Sequence, residues 1–337
     1  MIIYFGNILS DHGYTTTFNE QLGPHLGKYS KIVMASNKKN PILRMLHMFY
    51  IFFVKLPNIK LILIDCYSSK AFYYCLGIVI LSKLFFIPYI PILRGGNLPI
   101  RLNNNRWLSS FIFSSSEKNI SPSLYLKEEF IKCGYKVEFI PNFIDIKNYS
   151  FKIRANCKPK LLWVRSIHKI YNPLMAINVL SKLIKIYPNA ILCMVGPDKD
   201  GSLKLCKELS VNLGIDNNIT FTGLLSKSEW ISLSKKSDIF INTTDFDNMP
   251  VSVIEAMALG LPIVSTNAGG LKYLHKDGKD ALLVDKNDVE EMVNKIKNII
   301  QSNDLARTLS KNGREKAELF TWENVKDKWK LIIQNNG

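Results

Sequence analysis

The stretch Asp245-Phe246-Asp247-Asn248-Met249-Pro250-Val251-Ser252-Val253-Ile254-Glu255-Ala256-Met257-Ala258-Leu259-Gly260 governs how this chain folds. Just upstream, residues 238–242 form a short apolar run that reads as a buried strand and feeds a polar loop. Pro250 then opens a helix over 249–259, and Gly260 closes it. A strand leading through a polar loop into a helix is the repeating unit of a parallel α/β sheet. It turns unpaired helix N–H groups and the positive end of the helix dipole toward the strand ends, a position that favours a diphosphate. Glu255 lies about one and a half turns into that helix, close enough to reach a sugar diol beside a bound phosphate. Spacing alone leaves a second reading, with Asp247 only an N-cap and Glu255 only a solvated helix residue. An acid inside the apolar string 251–259 fits that reading poorly, because Val253, Ile254 and Met257 should face a core.

The same alternation continues on both sides. Residues 160–164, 190–195, 219–222, 262–265 and 281–284 read as strands; 173–186, opening on Pro173, and 289–300 read as helices. Toward the N-terminus, residues 1–5, 31–34, 61–64, 85–93, 111–113 and 137–140 are short, Ile-, Phe- and Val-rich runs expected to be strands. Helices are expected over 123–133 and from 71 to about Lys83. A length of 337 residues exceeds one ordinary core, and a turn-rich join over 149–159 separates the two runs. The expected fold class is therefore α/β, with two Rossmann-like domains facing across a cleft: 1–150 binding the acceptor and 158–320 binding a nucleotide-sugar. Residues 321–337 form a last amphipathic helix, with Trp322, Val325, Trp329 and Ile333 near one face. That helix either closes the second domain or crosses back to the first.

Composition narrows the class. Apolar residues make up 47% and charged residues 21%, a globular balance. The six cysteines, at 66, 75, 133, 157, 193 and 206, include no C-x-x-C pair. They argue against a zinc site or a disulfide framework and for a reducing compartment. Residues 1–6 lack a basic n-region and read as a first strand rather than a signal peptide. Residues 71–93 are long enough to span a bilayer, but Lys83 in the middle and Pro88 and Pro91 beyond it favour a buried helix followed by a strand. The net charge of +16 is uneven, with +11 carried by residues 1–157. Such a basic half suits an anionic membrane surface or a diphosphate-lipid; Lys-rich coding explains it equally well. Nucleic acid is not an expected partner, since the aromatics fall in buried strands instead of alternating with basic residues.

The run from Asp247 to Thr266, ending E-A-M-A-L-G-L-P-I-V-S-T, resembles the E-x7-E signature of retaining family 4 glycosyltransferases of the GT-B fold. Similarity continues in Asn267-Ala268-Gly269-Gly270, in Asp277-Gly278, in Val164-Arg165 and in Ile140-Pro141-Asn142-Phe143-Ile144-Asp145. It covers about residues 120–335 well and the first 110 loosely. The resemblance implies that Arg165 contacts the donor diphosphate, a bidentate task for a guanidinium. Asn248, Met249, Pro250 and Val251 would lie against phosphate or the transferred sugar, and Glu255 would bind the ribose. Asp247 would sit near the reacting sugar, Asp247 and Arg165 are the catalytic candidates, and Gly223 would form the turn against the base. Several positions depart from the family pattern. The first motif acid is Asp instead of Glu, and Val164 replaces a Gly. Lys169 is nearest to the family's diphosphate Lys, although Asn172-Pro173 competes for that slot, and Tyr273 replaces an acid. On the acceptor side, His12, Gly13 and Arg94 are the candidates.

What the resemblance implies is a retaining hexosyltransferase. It would move a sugar from a nucleoside-diphosphate sugar to a saccharide or lipid-linked saccharide, as in bacterial capsule, O-antigen or lipopolysaccharide synthesis. No metal and no cofactor are expected, because an Arg and a helix end hold the phosphates. The expected location is cytoplasmic, peripheral at the inner face of the cell membrane. Two alternatives share the features: a non-hydrolysing nucleotide-sugar epimerase and a binding-only relative.

Overall fold

The computed structural model describes residues 1–13 and 16–335; residues 336 and 337 of the expected last helix lie outside them. The chain divides into two compact units, one comprising Met1–Asn142 with the chain from Glu323 onward, the other Phe143–Trp322.

In the first unit, six parallel strands form one sheet: β1 (Ile2–Phe5), β2 (Ile32–Ala35), β3 (Leu61–Cys66), β4 (Tyr89–Leu93), β5 (Asn119–Ser121) and β6 (Val137–Phe139), in the order β2-β1-β3-β4-β5-β6. The helices are α1 (Phe18–Leu26), α2 (Pro41–Lys55), α3 (Phe72–Leu84), α4 (Leu98–Asn104), α5 (Arg106–Phe113) and α6 (Leu124–Lys132). Local chemistry starts them. Thr17 and Glu20 form a reciprocal capping box on α1, and the Asn40 side chain caps α2 ahead of Pro41.

Two sequence-based expectations need correction here. Residues 111–113 are the last turn of α5, not a strand. Ser109, Ile112 and Phe113 are its buried positions, at the i, i+3, i+4 spacing that a helix brings to one face. The fifth strand is Asn119–Ser121, which has no apolar run to announce it. It tolerates burial because Asn119 Nδ2 donates to the carbonyls of Phe113 and Lys136, each at 3.0 Å, and Ser121 Oγ donates to Ser123 O at 2.6 Å. The expected strand over 85–93 begins only at Tyr89. Phe85 and Phe86 form the preceding turn, with Phe86 at φ 55 and 94% exposed.

The second unit repeats the plan with β7 (Lys160–Val164), β8 (Ile191–Val195), β9 (Ile219–Gly223), β10 (Ile239–Asn242), β11 (Ile263–Thr266) and β12 (Leu282–Val284), all parallel, in the order β12-β11-β10-β7-β8-β9. Helices α7 (Pro173–Ile184), α8 (Ser202–Asn212), α9 (Lys227–Ser234), α10 (Val251–Ala258), α11 (Leu271–Leu274), α12 (Val289–Gln301) and α13 (Asn303–Glu318) cover it, and α14 (Trp322–Asn335) ends the chain. Successive residues of β7 feed opposite faces, as strand geometry requires. Leu161 and Trp163 join the core with Ile177, Leu180 and Ile296, while Leu162 joins that with Val253, Ile254 and Met257. In the first unit, Trp329 of α14 is fully buried, its ring 6.4 Å from that of Phe18.

Each sheet reverses its direction of growth once, between β1 and β3 in the first unit and between β7 and β10 in the second. Beyond the carboxyl ends of the strands at such a reversal, doubly wound sheets leave a crevice for ligands. All six cysteines are free thiols. No described helix is long and apolar enough to cross a membrane.

Candidate functional site

The strand reversal in the second unit places Arg165, which follows β7, beside Asp247, which follows β10. One guanidinium nitrogen of Arg165, Nη2, donates to Asp247 Oδ2, and both side chains are largely buried. The Arg165 guanidinium also lies over the Tyr171 ring, 4.1 Å from its centroid. Burial alone would lower the Arg165 pKa, but Asp247 and Tyr171 outweigh it and hold the guanidinium above its ordinary value. Its Nε–H has no acceptor among the described residues.

The backbone that carries this pair is tightly tied. Arg165 N–H donates to Val195 O at 3.0 Å, and a Cβ at Gly196 would come within 1.7 Å of Arg165 O, so only glycine fits there. The loop after β10 is fastened to the turn over Lys169–Tyr171, with Asp245 N–H donating to Ile170 O at 2.9 Å and Thr244 Oγ1 to the same carbonyl at 3.2 Å. Asn172 caps α7 through Met175 N–H and donates from Nδ2 to Asp245 Oδ1 at 3.1 Å.

Asp247 and Asn248 are held from behind by two glycines. Gly270 N–H donates to Asp247 O at 2.8 Å. A Cβ at Gly269 would meet Asp247 O at 2.2 Å, and one at Gly270 would meet Asn248 O at 1.6 Å. The Gly269-Gly270 pair is therefore required by the closeness of the two loops.

The N-cap of α10 is Pro250, not Asp247, and no side chain caps the helix. Asp247 Oδ1 instead accepts the adjacent Asn248 N–H at 2.8 Å. This commits one of the amides expected to face a phosphate, and Pro250 has no N–H to offer. Among the described residues, the Val251 and Ser252 amides find no acceptor, nor does Ser252 Oγ. Val251 belongs to the expected span and Ser252 lies one residue beyond it, so the free N–H groups of this helix end are at its first two residues.

Glu255 is 4% exposed, which rules out a merely solvated residue. Its Oε1 accepts from Tyr149 Oη–H at 2.6 Å and lies 2.5 Å from Lys227 Nζ at the start of α9. Burial, reinforced by the Glu255 charge, pushes the Tyr149 hydroxyl far above its ordinary pKa, so it remains a donor. Tyr149 and Lys227 thus fix the orientation of the carboxylate from two sides.

The other expected residues are dispersed. Gly223 ends β9 at φ 70 and accepts the Gly196 N–H at 2.9 Å, with open space where a side chain would stand. Lys169 is exposed; its N–H donates to Asp200 Oδ2 at 3.0 Å, and no hydrogen bond or ion pair joins it to Arg165 or Asp247. In the first unit, exposed His12 faces Asn37 O at 2.9 Å, and Gly13 closes its turn at φ 75. Arg94 donates to Asn142 Oδ1 at 2.7 Å and covers the Phe18 ring at 4.3 Å, with no hydrogen bond to His12. Beside it, Asp65 near the end of β3 is fully buried, accepting from Tyr4 Oη–H at 2.9 Å and Tyr67 Oη–H at 3.4 Å. Tyr149, Lys227, Tyr171 and Asp65 went unnoticed in the sequence, where each stands alone in an unremarkable context.

The profile of the family described as Glycosyl transferases group 1 matches residues 145–316. An uncharacterised glycosyltransferase of Methanocaldococcus jannaschii is 25% identical over 260 residues, 74% of this chain and 68% of that one. The Escherichia coli UDP-Gal:alpha-D-GlcNAc-diphosphoundecaprenol alpha-1,3-galactosyltransferase is 26% identical over 230 residues, 63% of this chain and 58% of that one. Among solved structures, sucrose-phosphate synthase from Thermosynechococcus elongatus superposes with a TM-score of 0.84 at 16% identity, covering 99% and 98% of the two chains. Anabaena HepE in complex with UDP and glucose gives 0.81 at 17% identity, covering 99% and 100%. The two six-stranded parallel sheets with their helices are the GT-B fold.

Proposed function

We propose, on the premise that this chain belongs to the family of glycosyl transferases group 1, that it transfers a hexosyl group from a nucleoside-diphosphate sugar to a saccharide hydroxyl with retention of configuration. The observation that carries this reading is the grouping of Arg165, Asp247 and the uncapped start of α10 at the strand reversal, with Glu255 held one turn deeper. Arg165 and the Val251 and Ser252 amides supply positive charge for a diphosphate, and Glu255 supplies the acceptor for ribose hydroxyls. Asp247, ion-paired to Arg165, lies beside the reacting sugar.

In this reading the acceptor oxygen forms a bond to the anomeric carbon on the face from which the diphosphate departs. The anomeric carbon–oxygen bond to the diphosphate breaks as it does so. The acceptor's proton passes to a leaving diphosphate oxygen. The protein contributes positioning and stabilisation of the leaving charge, and in this reading Arg165 and the helix end take the place of a metal. A saccharide or lipid-linked saccharide acceptor in bacterial surface polysaccharide synthesis belongs to the same reading. Its support is similarity to the Escherichia coli galactosyltransferase, whose name specifies a diphosphoundecaprenol-linked acceptor. A cytoplasmic location, peripheral at the inner membrane face, is also part of it, supported by the +11 carried by residues 1–157.

The test is stereochemical. Nucleoside-diphosphate sugars of α configuration are incubated with saccharide acceptors in the presence of a chelator, and the anomeric proton of the product is read by NMR. An α-linked product supports the reading. A β-linked product contradicts retention, and consumption of donor without any acceptor indicates the epimerase chemistry instead.

A further inference from the structure

Between Glu20 and Glu117 the sequence holds twelve Lys and Arg and a single carboxylate, Asp65. Asp65 is buried, so this stretch puts no negative side chain on the surface. Among the described residues, the same stretch carries more than half of the large apolar side chains that are exposed. Beyond Pro41 at its first position, the exposed residues of α2 are Ile42, Leu43, Leu46, Tyr50, Phe53 and Val54. At 100° per residue they fall within about 120° of arc. Arg44, Met48 and Phe52 occupy the buried side. An outward face this apolar is the reverse of what a helix in contact with water normally presents.

The face does not stop at α2. A Cβ on Gly77 of α3 would come within 2.9 Å of the Phe49 ring, so the two helices are in close contact. Alongside, α3 exposes Tyr73, Ile80 and Leu84, which share one side of the helix at the same angular step. The turn after α3 continues the surface: the Phe85 ring packs edge-on against Phe53 at 6.0 Å, and Phe86 projects outward. Phe86 does so from a left-handed backbone, φ 55, that a bulky residue rarely adopts. Cations bracket the apolar residues, with exposed Lys38 and Lys39 ahead of α2, Lys55 at its end and exposed Lys70 ahead of α3.

We infer that this face of α2, α3 and the Phe85–Phe86 turn seats the first unit on a bilayer rich in anionic lipid. The inference rests on the peripheral location proposed above and specifies its surface and its lipid chemistry. Apolar and aromatic side chains ringed by lysine, with no carboxylate among them, match the acyl and headgroup layers of such a bilayer. A second copy is a poorer occupant. A two-fold contact through the face would bring its lysine rim against the same rim, with no opposite charge to meet it.

The test is co-sedimentation of the full chain with vesicles of phosphatidylglycerol and phosphatidylethanolamine, against vesicles of phosphatidylcholine, at low and high salt. Two surface variants are compared with the natural chain: Phe86→Ser, and Leu46→Glu combined with Phe53→Glu. Nucleoside-diphosphate binding in each variant reports that the second unit is intact. Hydrogen exchange on the natural chain gives a readout that needs no substitution. The inference requires preferential binding to the phosphatidylglycerol vesicles, at least tenfold weaker in both variants, with exchange slowed over residues 41–55 and 84–87. Binding to those vesicles that the variants leave unchanged, without slowed exchange there, overturns this surface while keeping the peripheral location. Absence of binding to either vesicle overturns both, whatever the donor site does. A dimer broken by the same substitutions, or oligonucleotide binding weakened by them in place of vesicle binding, also overturns it.

Discussion

Arg165 and Asp247 lie 82 positions apart in sequence, yet the reversal of strand order between β7 and β10 makes them direct ion-pair partners. The pair is largely buried, so each charge depends on the other. Asp247→Ala leaves the guanidinium without its carboxylate and lets it turn away from the diphosphate. Transfer should fall on the order of 100-fold, and stability by about 3 kcal/mol. Asp247→Glu keeps the charge and should retain activity within roughly tenfold, because such a loss is of the size that imperfect positioning alone produces. Steady-state kinetics and denaturant melts of the two variants check this; equal activity in Asp247→Ala and the natural chain would remove Asp247 from the site.

Tyr149 has only its hydroxyl to offer Glu255, and Tyr149→Phe removes that donor while keeping the ring. Loss of a buried hydrogen bond to a charged group should cost about 2 kcal/mol in stability. The donor KM should rise several-fold, with kcat little changed, because the carboxylate is disordered on the binding side of the reaction. A change confined to kcat would place Glu255 in the chemical step instead.

The glycine pair behind the Asp247 loop gives a prediction with an internal control. At Gly270 an alanine Cβ would stand 1.6 Å from Asn248 O, a backbone atom that cannot give way locally. Gly270→Ala should therefore cost about 3 kcal/mol or more and abolish nucleotide binding. At Gly313, in α13, a Cβ would meet Met257 Cγ at 3.6 Å, which is ordinary contact. Gly313→Ala should be neutral or stabilising, by up to about 1 kcal/mol. Thermal melts of the two proteins side by side are sufficient.

Asp65 makes a pH prediction. Burial lifts its pKa to about 6, against the opposing pull of Arg94 and the Tyr4 and Tyr67 hydroxyls, from an ordinary 3.8. Between those values the folded chain holds a proton that the unfolded chain has released, so this group's contribution to stability declines as pH rises through the window. Asp65→Asn cannot ionise. The stability of the variant minus that of the natural chain should therefore climb between about pH 4 and pH 6, by up to about 3 kcal/mol. A difference that is flat with pH would mean that Asp65 titrates normally.

The sequence made the second unit more legible than the first, for physical reasons. Most of its strands abut a glycine or proline, and the segment from Asp245 to Gly260 packs a strand exit, a helix start and Glu255 into sixteen consecutive residues. In the first unit, Asn119–Ser121 is a strand whose buried Asn119 amide and Ser121 hydroxyl donate to nearby carbonyls, which no hydrophobic pattern can signal. Phe111-Ile112-Phe113 read as a strand because three apolar residues in a row carry no period; Ser109 at the buried i−3 position was the available clue. Within the candidate site, Arg165, Asp247 and Glu255 were visible as residues but not as partners. The holders of Glu255 come from elsewhere in the chain, Tyr149 from 106 positions upstream and Lys227 from the first turn of α9. Which amides ahead of α10 stay free was equally hidden, since Asp247 Oδ1 turns back to take up Asn248 N–H.

A metal-independent nucleoside-diphosphate site built on Arg165, the start of α10 and Glu255 has a thermal signature. The most direct measurement is a thermal melt of the natural chain and of Glu255→Ala with a panel of nucleoside diphosphates, in the presence of a chelator. At least one nucleotide, near 100 times its Kd, should raise the midpoint of the natural chain by roughly 5 °C, and Glu255→Ala should lose the shift. No shift with any nucleotide, a shift that appears only on adding a divalent metal, or an unchanged shift in Glu255→Ala would contradict it.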